Sequence, residues 1–147
     1  MDCSIFELTE CTPEDTAQLE ALVIQSLGYA VPDGAAFSER VARMLRHPDY
    51  HVFAARDADG IVGFAGTVAG VAFELETDYL RIIALAVRAD RQREGIGAAL
   101  LSHIKAYARA HDLGFLAVGS GLERENAHRF YEKNGFVKKG YGFFCAV

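Results

Sequence analysis

Tryptophan is absent from the chain, proline and cysteine occur three times each, and no apolar run approaches the ~18 residues that a membrane-crossing helix needs. Cys3, Cys11 and Cys145 are odd in number and far apart, with no CxxC or Cys/His spacing. That excludes a disulfide framework and a metal site, and free thiols in a reducing cytoplasm are expected. The start of the chain has neither a basic segment nor an apolar core of the kind that directs export, so a cytoplasmic protein is expected. Basic charge is also short: 15 Lys and Arg face 20 Asp and Glu, for a net charge of −5 and a pI near 5.5. A nucleic-acid partner, which requires a clustered basic face, is excluded on that ground. Repeats, linkers and low-complexity segments are missing too. What remains, 147 residues of which 51% are hydrophobic, is enough for one buried core and predicts a single domain over residues 1–147.

The apolar periods give the order of elements. Ile5-Phe6-Glu7-Leu8 reads as a strand, and Thr12-Pro13-Glu14-Asp15 as a helix start with an N-cap hydroxyl and proline at N1. That helix should run to about Leu27. A second, carrying Phe37, Val41, Met44 and Leu45, should stop before Pro48. Tyr50–Ala55 and Ile61–Val71 flank Asp57-Ala58-Asp59-Gly60, which predicts an antiparallel hairpin. Tyr79–Val87 is apolar at nearly every position and predicts a central strand buried on both faces. A helix from Gly95 to His111 and a strand at Phe115–Val118 then complete a β-α-β crossover. A last helix over 123–134 is stopped by Gly135, and Phe136–Val147 is expected to close the sheet with two strands.

The junction Gln92-Arg93-Glu94-Gly95-Ile96-Gly97 stands between that central strand and the long helix. Two glycines there remove side chains where the first helical N–H groups lack partners, which favours an anion. Arg88, Arg91 and Arg93 crowd the same place. A Walker loop would need Lys-Ser or Lys-Thr where Ala98-Ala99 stands. A dinucleotide fingerprint would need glycine at Leu100 and an acid on the following strand. Neither fits.

Gln92-x-x-Gly95-x-Gly97, the preceding Leu85-Ala86-Val87, and the later "AHRFYEKNGF" of Ala127–Phe136 stand in an order and separation that resemble the Gcn5-related N-acetyltransferase (GNAT) superfamily. The resemblance implies an α/β (α+β) fold: a mixed, largely antiparallel twisted sheet with a central splayed β-α-β crossover and flanking helices. It implies acetyl-CoA as acyl donor, with its pyrophosphate on Gln92, Arg93, Glu94, Gly95, Ile96, Gly97 and Ala98 and its pantetheine arm along Leu85, Ala86 and Val87. A bulge-region N–H near Leu85 would stabilise the oxyanion. Tyr131 stands where relatives place the acid that protonates departing CoA, although packing of its helix on the sheet is the competing reading.

The acceptor side departs from the pattern. Ile83 stands where many relatives carry a glutamate base, and Arg124 where many carry asparagine. Glu74, Glu76 and Asp78 are the nearest carboxylates to the strand's start, with Arg81 as a candidate ion-pair partner; a solvated loop is the alternative. His128 reads as polar surface, with a proton relay as the second reading, and an acyl-Cys145 intermediate is rejected. The function expected is acetyl transfer directly to a primary amine, on a small cationic metabolite or antibiotic-like molecule. The alternative is an idle acyl-CoA sensor or structural module. Metal, membrane and nucleic acid are not expected, and a homodimer is left open.

Overall fold

The elements are β1 (Ser4–Leu8), α1 (Pro13–Gln25), α2 (Gly34–Arg46), β2 (Tyr50–Asp57), β3 (Gly60–Gly70), β4 (Asp78–Val87), α3 (Ile96–Ala110), β5 (Leu113–Val118) and α4 (Glu125–Lys133), with a 3-10 turn at Ala89–Arg91. This computed structural model describes residues 2–122 and 124–147. The chain forms two compact units, Met1–Ala117 and Val118–Val147.

In the first unit the helix starts follow from short polar side chains. The Asp15 amide donates to Thr12 Oγ1 at 3.0 Å and the Thr12 amide to Asp15 Oδ2 at 3.2 Å, a reciprocal cap on α1. Asp33 Oδ1 accepts from the amides of Ala35 and Ala36 and starts α2. The strands are ordered β1-β2-β3-β4-β5, and β1 to β4 pair antiparallel in succession. The β2–β3 hairpin turns at Gly60, whose φ of 109° suits glycine. Its tip is held by α1: Gln18 Oε1 accepts from the Ile61 amide at 2.8 Å and its Nε2 donates to the Asp59 carbonyl.

Alternation along the strands sends side chains to two cores. Val52, Ala54, Ile61, Phe64 and Ala86 pack with Leu19 and Leu22 of α1 and Phe37 and Val41 of α2. On the opposite face Phe53, fully buried, meets the rings of His103 and Tyr107 of α3. Ile96, Leu100, Leu101 and Ile104 of α3 are buried; each contributes about 1.5–3 kcal/mol relative to an exposed position.

β4 departs from the expectation of two buried faces. Leu80, Ile82 and Ala86 are buried, whereas Arg81 and Ile83 are exposed. The reason is a break in register. Gly66 is opposite Ala84 but Thr67 is opposite Ile82, which leaves Ile83 as the extra residue of a β-bulge. At the other edge, the Gly114 amide donates to Thr77 Oγ1 at 3.1 Å, so β4 and β5 start at the same end of the sheet. β5 has six residues and β4 ten, so Leu85–Val87 lie beyond the stretch that β5 can accompany.

In the second unit α4 begins at Glu125; Glu123, where the sequence placed its start, lies outside the described residues. Gly135 ends α4 with φ 95°, and the Phe136 amide returns to the Tyr131 carbonyl at 3.0 Å. The two closing strands expected over 136–147 are not formed: the segment is irregular and largely exposed. Consecutive Lys138 and Lys139 and glycines at 140 and 142 interrupt the two-residue period that a half-buried strand requires.

Candidate active site

The last four residues of β4 deliver the chain to the glycine junction with its backbone groups sorted. The Arg88 amide donates to the Val62 carbonyl of β3 at 2.8 Å. Because successive N–H groups alternate sides along a strand, the amides of Leu85 and Val87 point away from β3, toward the edge that β5 leaves behind. The Val87 carbonyl on that side accepts from Ser26 Oγ at 3.2 Å and from Gln92 Nε2 at 3.1 Å. Gln92 therefore braces the strand end with its side chain.

Arg93 (φ 66°) and Gly95 (φ 88°) both take left-handed backbone conformations, which turns the chain sharply into α3. Gly95 is the N-cap of α3, supplies no side chain to its amides, and has open space where a Cβ would stand. The amides of Ile96, Gly97 and Ala98 thus begin a 15-residue helix without a capping acceptor. With the positive end of the helix dipole behind them, they form a place for an anionic oxygen.

The three arginines expected at this anion site divide differently. Arg88 donates to Asp90 at 2.6 Å, and Asp59 lies 3.9 Å away. Arg91 is held by Asp57, by Asp2 at 2.8 Å and by Glu94 at 3.1 Å. These two organise the loop by pairing with acids, and only Arg93 is without an ion pair among the described residues. Nothing in the sequence marked Asp57 as the partner of Arg91; the contact depends on the hairpin returning beside the loop.

The expected ion pair of Arg81 with Glu74, Glu76 or Asp78 is not formed: among the described residues Arg81 has no carboxylate partner. The three acids are exposed. Ile83, where a glutamate base was sought, is 44% exposed at the bulge.

Tyr131, in the second unit, is half-buried, its ring edge-on to Phe130 and Phe136 with centroids 5.4 and 5.5 Å away. Burial pushes its phenol above the ordinary value, with the Arg124 charge acting in the opposite sense. His128 Nε2 lies 2.8 Å from the Gly121 carbonyl, and donating to it would occupy that nitrogen. Cys145 is exposed and free.

Comparison with known proteins agrees with this arrangement. The family model described as "Acetyltransferase (GNAT) domain" matches residues 48–138. The N-acetyltransferase YhdJ of Bacillus subtilis (strain 168) is 31% identical over 112 residues, 76% of this chain and 78% of that protein. The aminoalkylphosphonate N-acetyltransferase of Salmonella typhimurium (strain LT2) is 26% identical over 143 residues, 97% of this chain and 92% of its own. Among solved structures, the aminoglycoside acetyltransferase HMB0005 from an uncultured soil metagenomic sample superimposes with a TM-score of 0.77 at 25% identity, covering 100% of this chain and 99% of that one. With the matched segment running from β2 through the bulged β4, the glycine junction and α4, the chain belongs to the GNAT acetyltransferase family and is an acyltransferase.

Proposed function

We propose that the protein transfers the acetyl group of acetyl-CoA directly to a primary amine of a small molecule. The observation that carries the reading is the coincidence, on one strand-to-helix connection, of a β4 end at Leu85–Val87 whose Leu85 and Val87 amides face no partner strand among the described residues and an α3 start at Gly95 without a side-chain cap. The residues present fit the donor. Arg93, Glu94, Gly95, Ile96, Gly97 and Ala98 would hold its pyrophosphate through backbone amides, with no Cβ at Gly95 or Gly97 to obstruct them, and Leu85, Ala86 and Val87 would lie along its pantetheine arm. Gln92 contributes by fixing the Val87 carbonyl. The bound thioester supplies an acyl group activated by a good leaving group.

The Leu85 amide would donate to the thioester oxygen, where hydrogen bonding strengthens as negative charge develops. By the family resemblance, Tyr131 would be the proton donor to the departing thiolate. Its raised pKa keeps the phenol protonated at neutral pH, and the assignment rests on this environment and on the family resemblance. Ile83 contributes no base, so the amine must arrive already deprotonated or lose its proton to water or to a group outside that position. Glu74, Glu76 and Asp78 favour an acceptor whose amine is cationic in the surrounding solution, and the names of the relatives, an aminoalkylphosphonate and an aminoglycoside acetyltransferase, support small-molecule amines.

The test is CoA release from acetyl-CoA across a panel of small primary amines. Turnover with at least one amine is expected. Acetyl-CoA binding without turnover of any amine would identify a sensor and overturn the proposal.

A further inference from the structure

β4 changes face at its bulge, and the half before the bulge presents an arginine that the fold does not use. A Cβ on Gly66 would lie 3.5 Å from Ile83 Cγ1, and one on Gly70 would lie 2.7 Å from Tyr79 Oη. Tyr79 and Ile83 therefore share the sheet face of Gly66 and Gly70. Phe64, two residues before Gly66 on the same strand, packs into the core formed with α1 and α2, which identifies that face. Arg81, opposite Val68 and alternating with Tyr79, belongs to it as well. The helices cover Phe64, Ala84 and Ala86 but stop short of Arg81, which is exposed.

The result is a shallow trough. Its floor is β3, with the side chains of Ile83 and Tyr79 lying over Gly66 and Gly70, and Arg81 stands between them opposite Val68. Arg56, Arg88 and Arg91 are each paired with a carboxylate. Arg81 has three carboxylates within seven residues in the chain and is paired with none of them among the described residues. Asp78 alternates onto the other face of β4, and Glu74 and Glu76 lie in the preceding loop. Arg81 and Leu85 are four residues apart, about 13 Å along an extended strand, and an arginine side chain spans part of that distance. A molecule joining the two needs only a few carbon atoms between its ends.

Resting on the acyltransferase reading above, we infer that the acceptor is a short primary amine bearing its own anionic group, a carboxylate, phosphonate or phosphate, and that Arg81 binds that anion while the amine is presented at Leu85. Guanidinium matches such oxyanions with two parallel hydrogen bonds, a geometry lysine cannot reproduce.

The experiment measures kcat/KM by CoA release from the full chain at saturating acetyl-CoA, with propylamine, β-alanine, 2-aminoethylphosphonate and spermidine as acceptors. The anion-bearing amines should exceed propylamine about 10- to 100-fold, the size of one charge-assisted hydrogen bond. Arg81→Gln should bring them down to the propylamine level, mainly through KM, and Arg81→Lys should recover part of the loss; a thermal shift with acetyl-CoA confirms that both variants fold. Equal or better use of propylamine, turnover confined to spermidine, or an anion preference that survives in Arg81→Gln overturns the inference while leaving the acyltransferase reading in place. Turnover of none of the four, with acetyl-CoA still bound, overturns both.

Discussion

Arg91 Nη1 donates to Asp57 Oδ2 across 34 residues of sequence, with the two side chains only 14% and 6% exposed. The same guanidinium donates through Nε to Glu94, inside the glycine junction. The tip of the β2–β3 hairpin is thereby fastened to the loop that opens α3, and Gln18 fastens the other side of that tip to α1.

This contact predicts an acid dependence. Burial, the largest influence on the Asp57 carboxyl, acts to raise its pKa; the Asp59 amide and the Arg91 guanidinium together outweigh it and leave the carboxyl below its usual range. A carboxyl with a depressed folded-state pKa stabilises the fold above the unfolded value of about 3.9. That contribution disappears as pH falls through the lower folded value. Melting temperature followed from pH 7 downward should therefore drop more steeply for wild type than for Asp57→Asn, whose curve starts lower at pH 7. Parallel curves would show that Asp57 does not supply the pH dependence.

Acetyl-CoA at 100 times its dissociation constant should stabilise the protein by about 2.7 kcal/mol, and neither ATP nor NAD should match it at the same concentration. Gly97→Val should remove most of that thermal shift, because its methyl groups stand where phosphate oxygens must approach. An unchanged shift in the variant would place the phosphate cradle elsewhere.

Gly95→Ala tests the backbone rather than the ligand. A Cβ meets open space there, so the whole effect should come from φ 88°, a conformation that costs an ordinary residue about 1–2 kcal/mol. Chemical denaturation measures it; a neutral substitution would mean that the junction relaxes without strain.

Tyr131→Phe should retain folding and acetyl-CoA affinity while lowering kcat by roughly 10²–10⁴-fold. The ring contacts with Phe130 and Phe136 survive the change, so a side chain that only packs would leave kcat intact. The defect should ease with acyl donors whose thiols are more acidic. Because burial raises the phenol's pKa, any alkaline loss of wild-type activity attributable to Tyr131 should have its midpoint above pH ~10.

Much of this arrangement was readable from local chemistry. Thr12-Pro13-Glu14-Asp15 specifies a helix start by capping alone, Asp57–Gly60 specifies a hairpin, and Gly135 specifies a helix end; each appears at its expected place. The glycine junction was legible for the same reason, since a bare strand-to-helix turn leaves few uses for two glycines. The bulge was not. Ile82, Ile83 and Ala84 are all apolar, and an uninterrupted apolar run looks the same whether its strand is buried on both faces or slips by one residue. The pairing of Arg91 with Asp57 was hidden too, because it depends on how a hairpin folds back on a loop 34 residues later. The two strands expected over 136–147 do not form, because Lys138, Lys139 and the glycines at 140 and 142 leave no two-residue apolar period to bury.

The extra residue at Ile83 also has a consequence for how this protein can diversify. Before the bulge, odd-numbered side chains of β4 face the α1/α2 side; after it, even-numbered ones do, as Ala84 and Ala86 show. One ten-residue strand thus contains two half-strands of opposite parity. Substitutions at 79, 81 and 83 reshape the open trough without repeating through the positions that line the α3 core at the other end. A lineage can therefore vary the first half of the strand while the second half stays under unrelated constraints.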